Sequence, residues 1–354
     1  MFDKLYADRR LWMLVVESMT VATQLELLDL RHFSARQLRP LLEHEARVWE
    51  QRLRWDYRGS TELLLQYLDS RILPGFVALD RGRIVGYAFC VYEGQKAVVG
   101  DAYAVAADAE QSRQVTQTLL RRLIELLEHS PNIDRVESQL LLYDAGTIDE
   151  SFLEAGFTRH SRLFMECELG RRPEIAVSRQ LPPGIELIPW SSTYYQAAAE
   201  LIHASYAGHI DATINDQYCS LHGSLRFLHN IVRFPGCGVF DANQSWLLLD
   251  RARNTLVAML LCSRVAPDVG HITQLCVRPA SRGLGLGRAL MEHSMSKLFL
   301  AGFTAITLTV TEGNSQAVSL YEALGFRVRY HFDAMVLDRS QKEGGVAATW
   351  AQPR

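Results

Sequence analysis

The chain has no C-x-x-C pair, and its six cysteines, at 90, 167, 219, 237, 262 and 276, have no histidine at zinc spacing. Zinc ribbons and dithiol redox motifs are thereby excluded and no metal is expected; free thiols fit a reducing cytoplasm. Basic runs never exceed two residues, as at Arg9-Arg10, Arg121-Arg122 and Arg171-Arg172, and the formal net charge is -3. Such a chain has no electrostatic case for nucleic acid. No apolar stretch approaches membrane-spanning length, so no membrane partner is expected. The patch Leu11–Val16, behind Asp3, Lys4, Asp8, Arg9 and Arg10, is short and lacks a small-residue cleavage site. It reads as part of a leading segment over 1–20. With 354 residues, 48% of them hydrophobic and 22% charged, the chain has enough apolar material for two domains with proper cores.

What is there in quantity is glycine at one place. Leu275-Cys276-Val277-Arg278-Pro279-Ala280-Ser281-Arg282-Gly283-Leu284-Gly285-Leu286-Gly287 reads as a strand, a glycine-rich turn and the start of an apolar-striped helix. Glycines at 283, 285 and 287 clear side chains from the turn, so that successive backbone N–H groups can face one anion at the positive end of the helix. A dinucleotide loop, G-x-G-x-x-G, fails because Arg288 occupies its last position, and no Gly-Lys-Ser/Thr ends the turn as a Walker loop requires. What remains is Arg282-x-x-Gly285-x-Gly287. About thirty residues on, behind the strand-like Thr304–Val310, stands Asn314-Ser315-Gln316-Ala317-Val318-Ser319-Leu320-Tyr321-Glu322-Ala323-Leu324-Gly325-Phe326. Seven residues separate Asn314 from Tyr321, which brings both to one helix face, and Gly325 is placed to end the helix.

Together these two segments resemble the Q/R-x-x-G-x-G/A turn and the N-x-x-A-x-x-L-Y-x-x-L-G-F helix of the GNAT superfamily of acyl-CoA-dependent N-acyltransferases. The chain also repeats itself faintly. Phe76–Arg81 followed by Ile84–Cys90 resembles Trp246–Arg251 followed by Leu256–Cys262, Tyr103–Val105 stands where Leu275–Val277 stands, and Glu154–Phe157 echoes Ala323–Phe326. The expected architecture is α/β, two tandem GNAT-like units resembling the mycothiol synthase type. Each would have a mixed, mostly antiparallel sheet with a splayed parallel strand pair, flanked by helices. The expected divisions are a degenerate unit over 21–169, a linker over 170–183, a catalytic unit over 184–340 and a tail over 341–354. Counting on from Val105 as from Val277 puts Glu110, Arg113 and Val115 where the second copy has Arg282, Gly285 and Gly287, while Ala145 and Phe152 replace Asn314 and Tyr321. The first copy is therefore expected to be non-catalytic, a buttress that walls part of the acceptor site.

The resemblance implies acetyl-CoA as cosubstrate, lying between strands around 271–277 and 304–310. Its pantetheine would pair with the main chain of Leu275 and Val277 flanking Cys276. The turn residues Arg282, Gly283, Leu284, Gly285, Leu286, Gly287 and Arg288, together with Asn314, complete the cofactor-binding set. Tyr321 is implied as the acid that protonates the departing thiolate. Many relatives carry a glutamate base where this chain has His271, whose ordinary pKa near about 6.5 suits an ammonium proton. Alternation is expected to place His271, Thr273, Leu275 and Val277 on one strand face, with Glu312 as reserve base and Cys276 opposite, in the core. The acceptor is a small-molecule or peptide amine, met by the segment from Tyr206 to His229 with His209, Asp211, Asp216, Tyr218 and His222. The protein is expected to be a monomer or homodimer. The alternative function is a non-catalytic acetyl-CoA-binding regulatory module.

Overall fold

The structure is a computed structural model that describes residues 25–170, 180–234 and 236–339. The leading segment, most of the linker and the tail lie outside the described residues.

In the first unit, β1 (Leu25–Asp29) leads into helices α1 (Ala35–Leu53) and α2 (Arg58–Asp69). Strands β2 (Gly75–Asp80), β3 (Arg83–Glu93) and β4 (Lys96–Ala104) follow, then α3 (Ala109–Glu128), β5 (Arg135–Gln139), α4 (Glu150–Glu154) and β6 (Thr158–Glu168). The second unit repeats the plan. It runs through β7 (Ile185–Pro189), α5 (Tyr195–Tyr206), α6 (Ile210–Ile214), α7 (Leu221–Arg233), a short β8 (Val239–Phe240), β9 (Trp246–Asp250) and β10 (Thr255–Ala266). It ends with β11 (Val269–Val277), α8 (Leu286–Leu300), β12 (Ala305–Thr311), α9 (Ser315–Ala323) and β13 (Arg327–Asp338). The hairpin β2–β3 turns on Arg81 and Gly82, both at positive φ (50° and 76°), a two-residue turn whose twist matches that of the strands.

Along the described residues all strands join one 13-stranded sheet in the order β1-β2-β3-β4-β5-β13-β6-β12-β11-β10-β9-β7, with β8 beside β10. The order is a palindrome of the two units except at its centre, where the last strands have changed places. β13 pairs β5 of the first unit (Ala334↔Gln139), and β6 pairs β12 of the second (Arg162↔Thr311). The exchange leaves both central strands hydrogen-bonded on two sides and delivers side chains of residues 158–168 to the second unit. Each unit keeps one parallel pair, β4–β5 and β11–β12, in register over four residues before the strands part.

Helices cover both faces. α8 buries Leu286, Leu290, Met291, Met295 and Leu298 at helical spacing against Leu163, Met165, Ile306 and Leu308. Each such leucine contributes roughly 1.5–3 kcal/mol of transfer free energy. On the opposite face α5 and α7 cover Leu247, Met259, Leu261 and Cys276. At the junction, Trp49, Leu53 and Trp55 of the first unit pack on Phe164, Val265, Val269, Ala305 and Phe332, so the units share a core.

Candidate active site

β11 and β12 pair from Val269↔Ala305 to Ile272↔Leu308 and then diverge, leaving the β12-facing side of Leu275–Val277 without a strand partner. The split coincides with a bulge. β10 pairs Leu261 with Gln274 and Cys262 with Ile272, so Thr273 is skipped. One skipped residue shifts the phase of alternation. His271 therefore does not share a face with Leu275 and Val277, as simple alternation predicts. Leu275 and Val277 face α8 with Ile272, whereas His271, Gln274 and Cys276 lie on the opposite face, Gln274 and Cys276 against α5 and His271 against Trp55 and Phe164. Cys276 is buried, and desolvation pushes its thiol up to about 12, so it stays protonated as a core cysteine.

Behind β11 the chain makes a single 3-10 turn at Pro279–Ser281 and then the glycine turn. Gly283 and Gly285 lie at φ 80° and 77°, where a side chain is strained. Gly285 is the N-cap of α8 and offers no side-chain cap. The first N–H groups of a helix have no intrahelical acceptor, so those of Leu286, Gly287 and Arg288 point outward beside a positive dipole end. At Gly287 a Cβ would come within 3.5 Å of Val277 Cγ2, narrowing the gap between turn and strand. Arg288 pairs with Glu292 at 2.7 Å, and Arg282 is tied down, its Nη2 donating to the Ser205 carbonyl at 2.6 Å. Leu284 is 53% exposed and stands away from the cavity. The other twelve residues expected to be catalytic or cofactor-binding line one cavity of about 770 Å³.

Tyr321 is buried, and desolvation followed by the nearby Asp211 raises its phenol well above the ordinary value, so the proton stays on the oxygen. Asn314 caps α9, its Oδ1 accepting from the Ala317 N–H at 3.2 Å, while its amide nitrogen lies 3.4 Å from His209 Nε2. His271 is buried between Trp55 (ring centroids 5.0 Å apart) and Phe164 (6.3 Å). Desolvation lowers its pKa to about 4, which corrects the expectation of an ordinary imidazole. Its Nδ1 is 2.9 Å from Thr307 Oγ1, and Thr307 Oγ1 donates to the Gly270 carbonyl. In the tautomer in which Thr307 gives its proton to the Gly270 carbonyl, His271 Nδ1 is the donor and Nε2 carries the lone pair. Glu312 is 52% exposed at the end of β12, beside His331, and does not line the cavity. Asp211 does, accepting a hydrogen bond from Thr311. His209, Asn215, Tyr218 and Phe227 join it from the segment expected to meet the acceptor, with Tyr206 stacked on Tyr218 at 4.1 Å. Asp216 instead pairs with Lys96 at 2.5 Å, docking that segment on the first unit, and His222 is outside the cavity.

Residues 206–326, which hold the glycine turn, the bulged strand and the Asn314–Tyr321 helix, match the Acetyltransferase (GNAT) family. A stretch of 70 residues is 40% identical to a mycothiol acetyltransferase of Kocuria rhizophila, covering 20% of this chain and 23% of that protein. Another 89-residue match is 34% identical to the ribosomal protein bS18 alanine N-acetyltransferase of Escherichia coli, covering 25% of this chain and 60% of that one. The chain thus spans less than two thirds of either relative. In fold the likeness is wider. A GCN5-related N-acetyltransferase from Sphaerobacter thermophilus superposes with TM-score 0.61 at 14% identity, over 89% of this chain and 96% of that one. A tandem GNAT protein from the clavulanic acid biosynthesis pathway gives 0.57, also at 14%, over 89% and 99%. The tandem GNAT architecture accounts for the two units joined here in one sheet.

The first GNAT-like unit has no glycine turn. α3 begins five residues after β4 ends, with Asp108 Oδ1 accepting from the Gln111 N–H at 2.7 Å and Glu110 paired to Arg113. Glu110, Arg113 and Val115 therefore sit inside the first two turns of a helix, not in a loop, and a carboxylate already occupies the place an anion would take. The cavity nevertheless runs on into this unit, past Trp55, Trp49 and Tyr57 to Asp101. Trp49 and Tyr57 stack at 4.3 Å. Tyr87 OH lies 2.6 Å from Glu45 Oε2 and 3.2 Å from Asp101 Oδ2, all three buried. Two carboxyls this close cannot both ionise; the proton rests on Glu45, whose pKa desolvation and Asp101 raise well above its ordinary 4.5.

A raised carboxyl pKa makes its contribution below the unfolded value and loses it as pH climbs through the folded value. Between those limits stability should fall by about 1.4 kcal/mol per pH unit. Glu45→Gln keeps the shape and the Trp49 and Tyr87 partners but has no proton to lose. Its melting temperature relative to the unmodified protein should therefore rise as pH climbs from the ordinary carboxyl range toward the raised folded-state value. A pH-independent offset between the two melting curves would refute the shared-proton assignment.

Proposed function

We propose that the chain is an acetyl-CoA-dependent N-acetyltransferase that acetylates a primary amine of a small molecule or peptide, with its active site in the C-terminal unit. The observation that carries this reading is one continuous cavity. At one end are the uncapped N–H groups of the glycine turn, in the middle Tyr321 and His271, and beyond them a polar and aromatic chamber roomy enough for a second substrate. The residues present fit the cosubstrate. Leu286, Gly287 and Arg288 would hold its diphosphate, and the open edge of Leu275 and Val277 would pair with its amides.

Bound acetyl-CoA supplies an acyl group activated as a thioester. Tyr321 holds a proton against loss to solvent and is placed to give it up where thiolate charge develops. His271 is neutral at physiological pH, so its Nε2 is free to take a proton from an ammonium acceptor. With its pKa near 4 it is a weak base, one that would relay the proton to water instead of keeping it. The first unit walls the acceptor chamber with Trp49, Trp55 and Leu140–Tyr143. Free thiols at all six cysteines suit the cytoplasm as the working compartment.

The test is thiol release from acetyl-CoA across a panel of primary amines, with native mass spectrometry of the same sample. We expect amine-dependent release and one acetyl-CoA per chain, since α3 is capped by its own aspartate. Binding without amine-dependent release would replace the enzyme with a ligand-responsive binding module.

A further inference from the structure

Arg162 is an arginine without a counter-charge on the wall of the acceptor chamber. It lies on β6, the strand the first unit contributes to the second, two residues along the same face from Phe164, which stacks on His271. Its Nη2 makes one long contact, 3.4 Å to Thr309 Oγ1, its Nε is buried without a partner, and its plane lies 5.9 Å from the Phe332 ring. Among the described residues no carboxylate pairs with it. Arg135, by contrast, is held by Glu137 and Asp338 and Arg54 by Glu166 and Glu168, while Arg278 and Arg282 donate to backbone carbonyls. A guanidinium drawn out of water with no anion is costly unless a ligand completes it.

We propose that Arg162 receives a carboxylate of the acceptor, so that the amine acetylated by this protein belongs to an amino acid or a short peptide with a free C-terminus. The inference rests on the acetyl-transfer reading and names its substrate class. A planar fork of N–H donors matches a carboxylate in two parallel bonds, which a phenol, hydroxyl or amide cannot reproduce. The placement suits an amine and a carboxylate on one small molecule. Thr309, touched by Arg162, is one strand repeat, about 7 Å, from Thr307, which holds His271. Asp211 lines the same chamber with the opposite charge, and both groups act on the Tyr218 hydroxyl. The chamber therefore carries a site for each end of a zwitterion. The sheet order explains why the site needs the first unit. Without the exchange β13 would lie beside β12 in place of β6, and Arg162 would not stand next to Thr309.

The experiment uses the full chain and pairs of probes, amino acids and dipeptides, each as the free acid and as its carboxamide. Binding is read by ligand-observed NMR and acetyl transfer by thiol release in the same mixtures. Free acids should bind at least about tenfold more tightly than their carboxamides. That preference should vanish in Arg162→Gln and partly return in Arg162→Lys, which keeps the charge but not the fork; the lost bonds predict a ten- to hundredfold weakening, in rough terms. The proposal fails if no acid binds, if acid and carboxamide bind alike, or if the preference survives Arg162→Gln. Preferential binding of acids without transfer would keep the carboxylate pocket and overturn the transferase reading. Transfer to carboxamides as readily as to acids would do the reverse.

Discussion

Gly285→Asp is expected to abolish acetyl-CoA binding while leaving the chain folded. Gly285 caps α8 from a left-handed conformation, φ 77° and ψ 10°, and contributes no side chain, so the first N–H groups of the helix stay free. Aspartate tolerates that conformation better than most residues and is among the best N-caps, so the fold pays only about 1 kcal/mol of backbone strain. What it destroys is the vacancy. A carboxylate at the cap takes the N–H groups of the first turn for itself and adds a negative charge where a diphosphate must sit. The first unit offers a parallel from an extended cap, where Asp108 accepts from the Gln111 N–H at the start of α3 and Glu110 follows it. The matched change Arg113→Asp, on the exposed surface of α3, should leave acetyl-CoA affinity as it was. Calorimetric titration decides the matter. Undiminished affinity in Gly285→Asp would mean that this turn is not where the cosubstrate binds.

The parts of the site legible in the sequence are those written in contiguous residues. The glycine turn, the strand before it and the Asn314–Tyr321 helix each carry their conformation in local chemistry: a missing Cβ, an N-cap, a helical stripe. The duplication was legible for the same reason, since hairpins such as Arg81-Gly82 are set by two residues. What was not legible depends on partners far away in sequence. β6 and β13 have the same alternating pattern whichever unit they pair in, so nothing in Thr158–Glu168 says that it borders β12. The bulge at Thr273 arises from a mismatch between β10 and β11, and it reverses the face of His271 relative to Leu275. The depressed pKa of His271 follows from the burial contributed by Trp55 and Phe164, both from the other unit. Arg162 gave one weak signal, a charge on a strand whose next neighbours on that face include Phe164, which only the exchange turns into a chamber wall.

Tyr321→Phe is expected to lower kcat about a hundredfold, the usual scale for loss of one general acid, with little change in acetyl-CoA affinity. The ring packs with Leu290, Leu324 and Phe326 in the core beneath α8, and phenylalanine fills that space equally well. Only the hydroxyl is lost. Burial holds its proton firmly at every assay pH, so the acid limb of the rate profile cannot come from Tyr321. Nor can it come from an ordinary histidine, because His271 titrates near 4 in this chamber. If His271 takes the amine proton, the unmodified protein should stay active down to about pH 5 wherever the acceptor amine is itself neutral. His271→Ala should then depress kcat for amines of high pKa more than for amines of low pKa, which arrive without the extra proton. Tyr321→Phe should slow both kinds of amine equally. The two variants therefore separate on one plot of kcat against amine pKa. Parallel lines for His271→Ala and the unmodified protein would remove His271 from proton transfer and turn attention to Asp211, the carboxylate in the chamber that acts on Tyr321.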